Sequence, residues 1–336
     1  MNIMGKEYSR EELLRYTNPT SHLFGARRVE IAEGRARGQK YIEVKTSDGL
    51  RAFISEDRCL DIVELEYRGI NLGYLTKNGI VSTGSASPET NSFGRYYMGG
   101  FVNTCGLRNT GFFNNVDGEF FPVHGHIGLT PADNVCIKVN EKEIVISGIM
   151  KETAFGRFAL EMERTITIPS DGAKVSVHDV INNLTPNPEI ILFMYHINFG
   201  FPFLSEAMNI EYPVADKVIG HPLMPASDAN FDRRMEITAP KDGEPEMCYT
   251  HFLKNEKVNV NLSNERLKLN GELSFDGAQL PYLTQWKSLR PGDYAFGLEP
   301  GNSRLMNREN ELKDGFDTKV PGYGSLEYGF SFCVGK

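Results

Sequence analysis

What this 336-residue sequence has little of narrows its function before any motif is read. Basic residues do not lead: 36 Lys and Arg stand against 44 Asp and Glu, a formal charge of −8. A protein that binds nucleic acid by bulk electrostatics needs a basic surface to displace counterions from phosphates, so that class is excluded. Cysteine is sparse and odd in number. Cys59, Cys105, Cys136, Cys248 and Cys333 are widely spaced with no CxxC pair, which excludes a disulfide framework and predicts reduced thiols in a cytoplasmic protein. No stretch approaches the roughly 18 consecutive apolar residues of a membrane span. The opening MNIMGKEYSREELLRYTNP is polar where a signal peptide needs an apolar core. Neither secretion nor contact with a membrane is expected. Repeats of 20 to 50 residues, low-complexity tracts and linkers are also missing, which argues against a propeller, a solenoid or a chain of separate domains.

What is present reads as strands. Thirty-three glycines and 17 prolines are spread over the whole length, and between them lie short alternating or β-branched runs: KYIEVKT at 40–46, RTITI at 164–168 and AKVSVHDVI at 173–181. CIKV and EIVISG flank residues 140–142 as a hairpin. LKL and ELSF flank Asn270-Gly271, a dipeptide that predicts a tight type I′ turn. A helix is expected only near the start, where Ser9 and Glu12 form an S-x-x-E capping box and Thr17, Asn18 and Pro19 stop it. The sequence thus predicts an all-β protein: a helical extension over 1–23 and one large antiparallel β-sandwich over 24–336.

The histidines carry most of the chemical signal, because imidazole titrates nearest neutral pH. His22, His178, His221 and His251 sit in contexts that suit surface or satisfied core residues. His124 and His126, in FPVHGHIGLTP, would point to one side if the segment were extended, and the glycine between them admits a ligand. They read either as exposed rings on a turn or as two metal ligands lacking further partners. His196 interrupts the apolar run EIILFMYHINFGFPFL, so it must find a partner or face a cavity. Glu299, in DYAFGLEPGNS, ends an apolar strand; facing a cleft, desolvation would raise its pKa and suit it to proton transfer. Arg108, in NTCGLRNTG, offers a rigid fork of donors on a loop.

Taken in order, GLRNTG with HGHIG, then ILFMYHINFGFP, then YAFGLEPGNS, the sequence resembles the aldose 1-epimerase (galactose mutarotase) superfamily, over roughly residues 24–332. RCLDIVELEYRGINLGYL and LPYLTQWKSLRPGDYAFGLEPGN are closer to a divergent branch of unknown function. HGHIG stands where HGG is usual, Tyr195 replaces the asparagine before the histidine, and the family's substrate-binding aspartate has no clear counterpart; Glu244, Glu246 and His251 occupy the comparable stretch.

The resemblance implies a large antiparallel β-supersandwich that interconverts sugar anomers without a cofactor. It makes Glu299 the general base on the anomeric hydroxyl and His196 the general acid on the ring oxygen. Arg108 and His124 or His126 would orient the sugar, Glu246 would contact it, and Trp286, the sole tryptophan, would stack on it or pack in the core. A small-molecule sugar is the expected partner, with a homodimer kept open. Two rival readings stay open: a non-catalytic carbohydrate-binding protein, and a metal-assisted keto-sugar isomerase or lyase using His124 and His126.

Overall fold

The computed structural model describes residues 1–3, 5–85, 92–254 and 256–335. Three large sheets make up the body, and every strand pairing within them is antiparallel. The eight-stranded sheet runs in the spatial order Asp133–Val139, Glu143–Ala154, Phe158–Pro169, Lys174–Asn183, Ser325–Gly335, Leu269–Asp276, Lys257–Asn264, Met208–Glu211. A five-stranded sheet covers Gly25–Glu30, Lys40–Lys45, Leu50–Ser55, Ile62–Tyr67 and Ile70–Asn71.

The six-stranded sheet carries the site, and its strands are numbered along the chain: β1 (Val102–Cys105), β2 (Met194–Gly200), β3 (Ala215–Gly220), β4 (Met247–Leu253), β5 (Tyr282–Arg290) and β6 (Asp293–Gly301). Their spatial order is β3-β4-β5-β6-β2-β1. One face of this sheet packs on the eight-stranded sheet, with Tyr195 against Phe330 (ring centroids 4.8 Å apart) and Phe199 against Phe332 (5.6 Å). Burial patterns separate the two sheets. Along Glu143–Ala154 buried and more exposed positions alternate, the period of a strand with one face on a core. Strand β2 is buried at every residue, because Tyr195, Ile197 and Phe199 enter the main core while Met194 joins a small second cluster with Cys105, Cys248 and Leu305. An apolar strand buried on both faces has no solvent side on which to place His196, so the histidine must look into something built around it.

The core also holds charge. Arg164 pairs with Asp61 at 2.8 Å and Asp179 at 2.7 Å, all three buried, and the Tyr195 hydroxyl donates to Asp179 at 2.7 Å. Removing one member of such a cluster leaves an uncompensated buried charge, at a cost of about 3–5 kcal/mol. Tyr195 is thereby fastened to the core side, which fixes its neighbour His196 on the opposite face.

Two local expectations need correction. Asn270-Gly271 is not a turn: it lies inside Leu269–Asp276, and the chain reverses at Glu265–Lys268, where Lys268 has φ +52°. Gly271 is instead a packing glycine, since a Cβ there would sit 2.9 Å from the Phe332 ring. The first residues are only partly helical. Asn2–Ile3 and Lys6–Glu7 form a short hairpin tied to the sandwich through Asn2 N–H on Asp171 at 2.8 Å, and only then comes the helix Arg10–Tyr16 with its Ser9/Glu12 capping box formed.

Candidate active site

Antiparallel register brings the two leading candidates together. Strands β2 and β6 pair Met194 with Gly301 and Ile197 with Leu298, so His196 stands opposite Glu299. Their side chains meet with Nε2 of His196 3.2 Å from Oε1 of Glu299. That separation lacks the alignment of a hydrogen bond, and both carboxyl oxygens of Glu299 and Nδ1 of His196 are buried with no hydrogen-bond partner among the described residues. The register is clamped just beyond the pair. Asn302 accepts from Phe193 N–H at 2.8 Å and donates to the Ile191 carbonyl at 2.9 Å, binding the chain after Glu299 to the chain before His196. Gly297 makes room for the carboxyl: a Cβ there would lie 2.5 Å from Glu299 Oε1 and 3.3 Å from Trp286.

The pair sits at the floor of a cleft of about 590 Å³, whose lining includes Phe93, Tyr97, His124, Glu246 and Trp286. His124 is held by loop geometry. Its own φ is +64° and that of Gly125 is +78°, and a Cβ on Gly125 would strike the Gly106 carbonyl at 2.2 Å. Nδ1 of His124 accepts the Gly111 N–H at 3.3 Å, which in the neutral ring leaves the proton on Nε2 as a free donor. The imidazoles of His124 and His196 stand edge to face, 5.3 Å apart. Trp286 lies 5.4 Å from His196, and its Nε1–H donates to Glu246 at 2.6 Å; Glu246 in turn pairs with Arg290 at 3.3 Å. At the mouth, Lys77 pairs with Asp293 at 2.7 Å.

Desolvation dominates the electrostatics. Burial, with the Glu246 charge behind it, pushes the Glu299 carboxyl well above its usual range. Burial, reinforced by His124, pushes His196 well below the usual imidazole range, and burial alone takes His124 down to about 4. Both directions favour the uncharged forms, a carboxyl facing an imidazole. Such an arrangement can give a proton to one substrate atom and take one from another.

Five of the residues singled out from sequence thus share the cleft: His196, Glu299, His124, Glu246 and Trp286. Two do not. Arg108 lies outside the lining, its guanidinium 3.9 Å from the Phe158 ring centroid and paired with Glu119 and with Glu189 at 3.2 Å. Two carboxylates already satisfy the fork that was expected to grip a sugar. His126 stays outside the lining, because residues 124–125 adopt left-handed backbone rather than an extended strand. The His-x-His pair therefore does not converge on one point, and among the described residues no three His, Cys, Asp or Glu side chains are grouped to hold a metal ion. The cleft also uses Phe93 and Tyr97, from the short helix Phe93–Tyr96 and its cap, and Arg290, from the end of β5. Nothing in the sequence marked them, since FGRYYMGG carries no chemical pattern beyond aromatic density.

The family described as a domain of unknown function, DUF4432, matches residues 36–333. A comparison with curated proteins finds no match. Among solved structures, a candidate aldose 1-epimerase from Klebsiella pneumoniae aligns with TM-score 0.87 at 22% identity, covering 94% of this chain and 86% of that one. A galactose mutarotase-like protein from Clostridium acetobutylicum aligns at 0.67 and 12%, covering 94% and 99%. Galactose 1-epimerase from Lactobacillus acidophilus aligns at 0.60 and 10%, covering 93% and 99%. At these identities the likeness establishes the galactose mutarotase-like sandwich fold.

Proposed function

The chain belongs to the DUF4432 family, and from that premise we propose that it is an aldose 1-epimerase-type isomerase that interconverts the anomers of a small sugar. The observation that carries this reading is the His196–Glu299 contact at 3.2 Å on a cleft floor, with the remaining polar atoms of both groups unpartnered. Buried polar groups left without partners cost stability, so a protein keeps them where a ligand completes them.

The chemistry follows from an acid and a base placed side by side. One member of the pair takes the proton of the anomeric hydroxyl while the other protonates the ring oxygen. The C1–O5 bond breaks as the C1 carbonyl forms, C1 turns about the C1–C2 bond, and reclosure on the other carbonyl face returns both protons. With neutral forms favoured, His196 is the resting base and Glu299 the resting acid. A first ring opening leaves them reversed, with Glu299 as base toward the new O5 hydroxyl and His196 as acid toward the C1 carbonyl oxygen, and reclosure restores them; the assignment implied by the resemblance is the opposite one, with Glu299 on the anomeric hydroxyl and His196 on the ring oxygen. His124 Nε2–H supplies a neutral donor for a sugar oxygen, and Trp286, its indole pinned by Glu246, supplies an apolar face. Glu299 has no exposed surface and His196 is 4% exposed, so the floor must open by a side-chain shift as the sugar seats. The test is anomer exchange measured by NMR saturation transfer across hexoses, pentoses and uronates. Acceleration that disappears in Glu299→Gln and His196→Asn is expected; unchanged interconversion of every sugar with pure wild-type protein would overturn the reading.

A further inference from the structure

Resting on that reading of the cleft, we propose that the hydroxyl of Tyr97 is a substrate-contacting hydrogen-bond donor to a sugar oxygen at the reacting end. Everything else about this residue is already held. Its carbonyl accepts from Thr76 Oγ1 and from Asn78 Nδ2, each at 2.8 Å, and its N–H closes the short helix onto the Phe93 carbonyl. Its ring is stacked on Phe93 with centroids 4.5 Å apart and lies 6.1 Å from the ring of His196. Only the hydroxyl is left over, its oxygen buried and without a hydrogen-bond partner among the described residues. A phenylalanine would fill the same wedge without the penalty of an unmatched O–H.

The setting says what that oxygen is for. Burial above all, with the nearby Glu299 carboxyl next, pushes the phenol well above its usual range and keeps it protonated. It is therefore an uncharged donor in the same cleft lining as the proposed proton-transfer pair. As the anomeric hydroxyl loses its proton, negative charge grows on that oxygen, and a preset neutral donor in a water-poor cleft stabilises the charge without reorganising. Three groups with unpartnered atoms, Tyr97 Oη, His196 Nδ1 and the Glu299 carboxyl, line the same cleft. A polyhydroxylated ring supplies donors and acceptors enough for all of them.

Tyr97→Phe in the full-length protein separates this role from a structural one. The expected result is a Tm equal to or above wild type together with a kcat/KM at least about tenfold lower for the sugar that wild type turns over, the loss falling mainly on kcat. Sugar affinity is read independently from the fluorescence of Trp286, the sole tryptophan, which lies in the cleft. Wild-type kcat/KM and affinity in the variant would overturn the proposal, as would a Tm several degrees lower, which would show that the hydroxyl has structural work. If wild type binds a sugar but never turns it over, the isomerase reading fails, and the Tyr97 assignment is decided by affinity alone: binding weaker by about tenfold supports it and unchanged binding ends it. If wild type neither binds nor turns over any sugar, both fail.

Discussion

Replacing Glu299 by glutamine asks directly whether the buried carboxyl is neutral in the folded protein. The side chain keeps its shape and the cleft its volume, and only the ability to ionise is lost. Burial raises the Glu299 pKa from its ordinary 4.5, so the folded state holds a proton that the unfolded chain releases. For a raised pKa the sign is fixed: the stability this group contributes is fully present below the unfolded value and is lost as pH rises through the folded one. Glutamine has no such loss. Below about pH 4.5 the stability difference between the two proteins is flat. Above it, for every pH unit over which the folded carboxyl stays protonated, the difference shifts in favour of the variant by about 1.4 kcal/mol. For a chain of 336 residues the unfolding entropy makes that about 2 °C in Tm per pH unit. The assay is thermal unfolding of both proteins in parallel from about pH 4 to 8, with anomer exchange at each pH. A stability advantage that grows with pH, beside an activity loss of about 10²–10⁴-fold, is expected. A pH-independent difference, or a variant that becomes relatively less stable as pH rises, would show an ionised carboxylate in the fold and refute the neutral-pair argument.

Gly297→Ala places a Cβ 2.5 Å from Glu299 Oε1 and 3.3 Å from Trp286. Overpacking of this kind costs about 1–3 kcal/mol, and a displacement of the carboxyl by about 1 Å lowers kcat/KM about 100-fold; full activity in the alanine variant would refute the placement of the carboxyl. Both cations at the cleft mouth are already engaged, Lys77 by Asp293 and Arg290 by Glu246. Phosphorylated sugars should therefore show KM values at least about tenfold above their neutral counterparts, since a charge buried without a partner is penalised, and a preference for the phosphate would contradict this. Arg108→Met should lower stability by about 1–3 kcal/mol by leaving Glu119 and Glu189 short of a donor, yet leave the KM of any sugar turned over unchanged, as steady-state kinetics beside thermal unfolding will show.

The parts of the site that were legible in the sequence are those where a polar residue breaks a buried pattern. His196 and Glu299 each interrupt an apolar strand, and a side chain with hydrogen-bonding groups in such a strand must face a partner or a cavity; the structure gives them each other and a cleft. Arg108 and His126 were misread for one shared reason. Their loops fold back by left-handed turns at Gly106, Gly111, His124 and Gly125, and neither the loop read at Arg108 nor the extended segment read at His126 shows which side chain then turns inward. The glycine of Asn270-Gly271 was likewise ambiguous, because a glycine needed for φ above zero and one needed to let the Phe332 ring approach look alike in one dimension. Tyr97 left no trace at all. Tyr96 beside it is buried and Tyr97 borders the cleft, and only the tertiary arrangement tells the two apart.

Register explains why so much depends on two adjacent strands. In an antiparallel pair, slipping one strand by a single residue turns every side chain on it to the other face. Such a slip of β6 would drive Glu299 into the core that now takes Phe296 and Leu298, an outcome that desolvation of the carboxyl penalises heavily. The same slip would break the Asn302 bonds to Phe193 and Ile191. The packing of Phe296 and Leu298 and the polar demand of Glu299 thus select one register. That register is the one in which an imidazole and a carboxyl arrive 3.2 Å apart. The forces that define the sandwich therefore also assemble the His196–Glu299 pair, and the cleft above it is lined by loops with their own backbone constraints.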